Sequence, residues 1–366
     1  MTTLRVGFVV QGEGRGHMTQ ALAMAGFLRD AGHEVARVWI GTSPHRSVPS
    51  YFTEGIGAPV EAFDAPVQVP DRRGVGVSPA ATTADFARRL PAFARATRTL
   101  HDGTRTLDVV VNFLDVVAGA SRVIHDSAVP AVAVAHNYLF LHPDVGPLPG
   151  PTWMQRAVLG WTRATAARAT IKIALSFAPG AAVPSERLEV APPLLRTGLG
   201  EVGRSDGGFL LAYALNPGYG DVLSAWQRVH PDVPIRCYLD GGPGVLMEPP
   251  GPGFEACHLD QERFLADLRR CRAFVGSAGF EAICEAHYLG KPVLAVPTAG
   301  HYEQDLNAWD AARHGAARAG TYADLSDFWH RLTPPAAESV RAFRSWVDEA
   351  PWRHVDAVER ASRPVS

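Results

Sequence analysis

Glu281 and Glu285 stand four residues apart in the stretch Val275-Gly276-Ser277-Ala278-Gly279-Phe280-Glu281-Ala282-Ile283-Cys284-Glu285. At that spacing two carboxylates share one face of a helix, and a carboxylate can accept both hydroxyls of a ribose. Ser277-Ala278-Gly279 offers a tight turn before the helix, and Gly279 lets a ligand come close to the backbone. The first turn of such a helix has unpaired N–H groups and a partial positive charge, which suit a diphosphate. The helix is expected over 280–289, stopped by Gly290 with Pro292 beyond. After the next strand, Pro292 to Val296, a loop ends in Glu303 and Gln304, whose side chains could hold several hydroxyls of a sugar. Phosphate, ribose and sugar in that order are the parts of a nucleotide sugar. A glycine turn opening a helix is common in α/β proteins. The specificity lies in the Gly290-Lys291-Pro292-Val293-Leu294-x-Val296-Pro297 stop and the later Glu303-Gln304-x-x-Asn307.

A second constellation lies near the start. The apolar run Leu4 to Val10 reads as a strand and leads into Gly12-x-Gly14-Arg15-Gly16-His17. Dinucleotide binding is rejected: the spacing is not G-x-G-x-x-G, and no acidic residue ends the second strand, where Trp39-Ile40-Gly41-Thr42 stands. An imidazole titrates near working pH, so His17 is the candidate general base. Asp115, after the strand Val109 to Val111, either orients that imidazole or is a plain helix N-cap. His136 and Asn137 follow the strand Ala131 to Ala135, where surface-loop polarity is the competing explanation for any role.

Val275 to Ala308 resembles the donor-binding signature of two-domain (GT-B) glycosyltransferases. It is closest to family 28, which includes the bacterial N-acetylglucosaminyltransferase of peptidoglycan lipid-intermediate synthesis. It is also similar to the D/E-Q end of the plant and natural-product UDP-glycosyltransferase motif. Gly14-Arg15-Gly16-His17-Met18-Thr19-Gln20 resembles the G-G-H loop of the same families, and His136-Asn137 their Q-N. The resemblance implies an α/β fold of two Rossmann-like domains facing each other across a cleft. It puts the diphosphate on Ser277, Gly279 and the N–H of Phe280, the ribose on Glu285, the sugar on Glu303 and Gln304, and the nucleobase near Leu259. Gly14, Arg15, Gly16, His136 and Asn137 would form the acceptor side. Many relatives have His or Arg where Ser277 stands and Ser or Thr where Ala282 stands. Phosphate contacts must therefore lean on backbone, or on Arg15 or Asn216. No metal and no cofactor are expected, because the helix terminus meets the developing charge.

These motifs need elements to position them. A length of 366 residues predicts two domains. We expect an N-terminal acceptor domain over 1–190, a linker over 191–207 around Pro192-Pro193, a donor domain over 208–335, and helices over 336–366 packing back toward the first domain. The first helix should run from Thr19 to Asp30, Pro70 to Ala84 should be a loop, and Asn216 to Gly220 a loop with Asp221 capping the next helix. In the helix from Trp153, the residues Trp153, Met154, Val158, Leu159 and Trp161 either pack on the first domain or form a membrane or acceptor surface.

A formal charge of −2 offers no basic field for nucleic acid. No apolar run is long enough for a transmembrane helix, which leaves peripheral membrane contact open. The N-terminus begins the first strand without a leader. Cys237, Cys257, Cys271 and Cys284 lack ligand spacing and read as reduced thiols of a cytoplasmic protein. The function expected is inverting transfer from a nucleotide sugar, UDP-linked by family default, to a small-molecule or lipid hydroxyl. The alternatives are a UDP-sugar 2-epimerase on the same scaffold and a non-catalytic nucleotide-sugar-binding protein.

Overall fold

The computed structural model describes residues 2–363, apart from 13, 43–46, 67–68, 70–77, 147–150, 197, 201–206, 215–216 and 240–241. Two compact units form: Met1–Gln68 with Pro79–Thr197 and Trp346–Ser366, and Val69–Ser78 with Gly198–Ser345. The last stretch of the chain thus belongs to the first unit.

The first unit alternates strands and helices. It holds β1 (Arg5–Gln11), α1 (Arg15–Asp30), β2 (Glu34–Thr42), α2 (Ser50–Gly55), β3 (Val60–Asp64) and α3 (Pro79–Thr104). It continues with β4 (Val109–Phe113), α4 (Val116–Ile124), β5 (Ala131–Ala135), α5 (Thr152–Thr165), β6 (Ile171–Leu175) and β7 (Leu188–Ala191). The strands pair in parallel, in the order β3-β2-β1-β4-β5-β6-β7. Every residue of β4 (VVVNF) and β5 (AVAVA) is buried, as expected for strands covered by helices on both faces.

The second unit repeats the plan with β8 (Leu210–Ala214), α6 (Pro217–Val229), β9 (Ile235–Leu239), β10 (Phe254–His258), α7 (Gln261–Arg270) and β11 (Ala273–Ser277). Then come α8 (Phe280–Tyr288), β12 (Val293–Val296), α9 (Tyr302–Arg313), β13 (Arg318–Ala319) and α10 (Leu325–His330). Its parallel sheet runs β10-β9-β8-β11-β12-β13. Leu210, Ile235, Val275 and Leu294 form the middle of its core.

The chain leaves the second unit within α11 (Ala337–Asp348), and α12 (Ala350–Ser362) lies in the first. Pro351 opens α12 instead of bending one long helix, because a proline at the first turn loses no helical hydrogen bond. Arg360 grips Glu189 of β7 through two nitrogens at 2.7 and 2.9 Å, and His354 Nε2 donates to the Pro192 carbonyl at 3.0 Å.

Several helices start earlier than the sequence predicts. α1 begins at Arg15, α3 at Pro79 and α6 at Pro217. Asp221 is therefore inside α6 and accepts the Met247 N–H at 2.9 Å instead of capping the helix. Strand β7 ends at Ala191, the first residue of the expected linker. Asp71-Arg72-Arg73 of the expected loop lies outside the described residues. Trp153 stays 65% exposed and Trp161 42%, so packing on the first unit does not account for them. Among the described residues no helix is long and apolar enough to cross a membrane. All four cysteines are buried free thiols.

Candidate active site

Both sheets reverse their strand order once, between β1 and β4 and between β8 and β11. In open parallel sheets, ligands bind beyond the carboxyl ends of the strands at such a switch. His17 follows β1, Asp115 follows β4, and Ser277 ends β11. Motifs distant in sequence thus meet the switch point of their own sheet.

In the second unit, Ser277 closes β11 and the Gly279 N–H donates to the Ser277 carbonyl at 2.5 Å, making a three-residue turn. Gly279 is the extended N-cap of α8 and has no side chain to cap it. A Cβ placed there would meet only the Ser277 oxygen, at 3.7 Å, so the approach to the helix N-terminus is open. The first-turn N–H groups and the helix dipole face that approach. Phe280, next in line, is buried.

Glu281 and Glu285 share a face of α8 as expected, but Glu285 is 0% exposed and Glu281 9%. Ile283 and Ala286 of the same helix are buried with them. Between them, burial and the charges of Glu281, Asp310 and Glu285 push the Cys284 thiol well above its ordinary range.

Glu303 and Gln304 are corrected: they lie in the first turn of α9, not in a loop. Two acidic groups there, Glu303 and Asp305, suit the positive end of the helix. Glu303 is half-buried, whereas Gln304 is buried and its Oε1 accepts the Thr298 N–H at 2.7 Å. Of the two, Glu303 has the more accessible side chain. Asn307, the last residue of Glu303-Gln304-x-x-Asn307, donates from Nδ2 to the Ala278 carbonyl at 2.7 Å. Its Oδ1 and the Thr298 Oγ1 are buried without a hydrogen-bond partner among the described residues. Such atoms carry a desolvation cost that a ligand's hydroxyls can remove. Leu259 is half-buried between β10 and α7, beside Asp260, which caps α7 by accepting the Arg263 N–H at 2.8 Å. Asn216 lies outside the described residues. Among the described residues no three His, Cys, Asp or Glu side chains gather as metal ligands.

In the first unit, Gly14 is the extended N-cap of α1, so Arg15, Gly16 and His17 form the first helical turn instead of a loop. The close approach of β1 and β2 explains Gly12, whose Cβ would lie 2.7 Å from the Gly41 oxygen. His17 is buried, and its Nδ1 sits 3.2 Å from Gln20 Oε1. Asp115 makes no hydrogen bond to it. Instead Asp115 Oδ1 accepts the Ala118 N–H at 2.9 Å as the N-cap of α4. Asn112 holds the Asp115 backbone from both sides, accepting its N–H at 2.9 Å and donating to its carbonyl at 3.0 Å. Leu114 adopts a left-handed φ of 59°, a strained conformation for leucine that turns the chain from β4 into the cap. Burial pushes the Asp115 carboxyl up to about 7, against the N–H bonds from Ala118 and Val117 that lower it. His136 opens a short 3₁₀ turn over His136–Leu141 and packs edge-on against Phe177 at 6.4 Å, with Asn137 buried beside it.

The profile of the family described as "Glycosyl transferase family 1" matches residues 4–332. The chain belongs to glycosyl transferase family 1. It is therefore a glycosyltransferase, and family membership favours transfer over the epimerase and silent-binding readings. Its two parallel sheets match GT-B structures. Medicago truncatula UGT71G1 complexed with UDP-glucose aligns at a TM-score of 0.66 and 12% identity, covering 99% of each chain. The glycotransferase of kitacinnamycin aligns at 0.63 and 17%, covering 99% of this chain and 100% of that one. Acinetobacter baumannii MurG aligns at 0.54 and 16%, covering 97% and 99%. At these identities the likeness shows the fold. No curated protein matches the chain in sequence.

Two residues of this family member escaped the sequence reading of the site. Asn307 was visible as the last letter of Glu303-Gln304-x-x-Asn307, and Gln20 as the third residue after His17. Both signals are spacings, and each acquires meaning only once the residue belongs to a helix.

Proposed function

We propose that this chain is an inverting, metal-independent glycosyltransferase that moves the sugar of a UDP-sugar onto a hydroxyl of a small-molecule or lipid acceptor. The observation that carries the reading is the open N-terminus of α8, uncapped behind Gly279, with the unsatisfied Asn307 Oδ1 and Thr298 Oγ1 in the elements tied to it. A diphosphate suits the first, and sugar or ribose hydroxyls suit the second. That UGT71G1 was solved with UDP-glucose supports uridine as the base.

The chemistry follows. The acceptor hydroxyl gives its proton to Nε2 of His17 as its oxygen attacks the anomeric carbon. The new C–O bond forms on the face opposite the diphosphate, and the bond to the diphosphate breaks, so the configuration inverts. The electron pair leaves on the diphosphate, whose charge is met by the backbone N–H groups after Ser277 and by the α8 dipole. Glu285 and Glu281 would read the ribose, and Glu303 the sugar. Arg15, Gly16 and Asn137 would line the acceptor side, and no cofactor takes part. The four buried thiols fit a cytoplasmic enzyme.

The test is a donor screen. UDP-, dTDP- and GDP-sugars are each incubated with the full chain, with and without an acceptor panel. UDP release that requires an acceptor, with an inverted glycoside by NMR, is the expected result. Deuterium exchange at C2 of donor alone, with no glycoside from any acceptor, would replace transfer by epimerisation.

A further inference from the structure

We propose that Gln20 is the positioning residue of the His17 base, in the place where a carboxylate was expected. The inference rests on the reading of His17 as the base. His17 and Gln20 lie three residues apart on α1, so their side chains are neighbours on one face. The contact is 3.2 Å from His17 Nδ1 to Gln20 Oε1. Gln20 is 1% exposed, so packing holds its rotamer.

An amide oxygen only accepts. Facing Nδ1, it requires the proton of a neutral imidazole to be on Nδ1, and the lone pair is then on Nε2. Nε2 is the nitrogen that must receive the acceptor's proton. Were the amide turned over, its NH₂ would donate to Nδ1, the imidazole proton would move to Nε2, and no base would remain there. Gln20 thus decides whether His17 is a base at all. Asp115 is committed elsewhere: its Oδ1 takes the Ala118 N–H, and a Cβ on Gly41 would lie only 2.4 Å from its Oδ2. Among the described residues, Gln20 is the hydrogen-bond partner of the His17 ring. A neutral partner orients the ring without the added stabilisation of imidazolium that a carboxylate brings.

The experiment compares Gln20→Met, Gln20→Glu, His17→Ala and His17→Ala/Gln20→Met in the full chain. Methionine keeps the length and apolar stem of the side chain but cannot accept. Gln20→Met should lower kcat by about 10-fold or more, part of the ~100- to 10,000-fold that a general base supplies. Donor KM should hold, and the substitution should cost nothing further in the His17→Ala background. Gln20→Glu keeps an acceptor at the same atom. It should restore kcat at high pH and move the acid limb of the pH profile upward, because a carboxylate favours the charged ring. In ¹⁵N spectra of the free wild-type protein the neutral His17 should have its proton on Nδ1, and Gln20→Met should lose that preference. A proton on Nε2 in the wild type, full activity of Gln20→Met, or an equal loss in the His17→Ala background overturns the proposal while leaving His17 as base. Wild-type transfer by His17→Ala instead overturns the base assignment itself.

Discussion

Nδ2 of Asn307 donates to the carbonyl of Ala278 at 2.7 Å, tying α9 to the turn that opens α8. The helix carrying Glu303 and the proposed diphosphate turn are thereby linked directly. Asn307→Ala removes the bond and leaves a buried carbonyl unsatisfied, at a cost of roughly 1–3 kcal/mol. We expect a lower melting midpoint and a several-fold weaker UDP affinity by calorimetry. A variant that melts lower but binds UDP as the wild type would make Asn307 a structural residue alone.

Glu285 tests the donor site most directly. Glu285→Ala should weaken UDP binding by ~1.5–3 kcal/mol, the scale of a hydrogen bond to a charged group. That corresponds to about 10- to 150-fold in Kd. Because the residue is fully buried, circular dichroism should accompany the titration to show that the variant is folded. Unchanged affinity in a folded variant would move the ribose to Glu281.

Asp115 separates cap from catalyst. Asparagine keeps the oxygen that accepts the Ala118 N–H and removes the ionisable group. Asp115→Asn should therefore fold as well as the wild type at pH 8, where the buried carboxyl is forced to ionise, and transfer within about three-fold of it. Asp115→Ala, which removes the cap, should lose ~1 kcal/mol of stability. A transfer rate reduced 100-fold in a folded Asp115→Asn would return Asp115 to the catalytic machinery.

Acid should destabilise the protein through two histidines. Burial, then Arg344 and His314, lowers His287 to about 4. Burial, then Arg353, lowers His354 to about 4, against the raising effect of its bond to the Pro192 carbonyl. Both values are depressed below the ordinary 6.5. Their contribution is present above pH 6.5 and is lost as pH falls from there through about 4. Asp115 acts in the opposite sense: its carboxyl is raised to about 7, so its contribution is present below the ordinary carboxylate range and lost as pH rises through 7. The two histidines together outweigh Asp115, so acidification from pH 7 to pH 4 should leave a net loss of stability. Thermal melts from pH 7 to pH 4 should show it. His354→Gln, whose amide can still donate to Pro192, should flatten the slope; an unchanged slope would mean that His354 takes a proton while folded.

Sequence by itself determined the alternation of strands and helices and the run from β11 to β12. These are local: contiguous apolar residues make buried strands, and Gly279, Gly290 and Pro292 bound α8 whatever else the chain does. It also singled out His17 and Glu303-Gln304, because their motifs are contiguous. Where helices begin was less legible. The first turn of a helix has no preceding partners for its N–H groups, so polar and glycine residues are tolerated there. Gly14-Arg15-Gly16-His17 and His301-Tyr302-Glu303 therefore read as loops until the backbone is seen. Tertiary structure alone decided which partner each polar group takes. Asp115 caps α4 because Asn112 and the left-handed Leu114 aim its backbone that way. Glu285 is buried because α8 packs its carboxylate face inward. Gln20 meets His17 because α1 starts at Arg15, which places both residues on one helical face. A hydrogen-bond partner is a matter of direction and distance, and a linear chain specifies neither until the elements around it have packed.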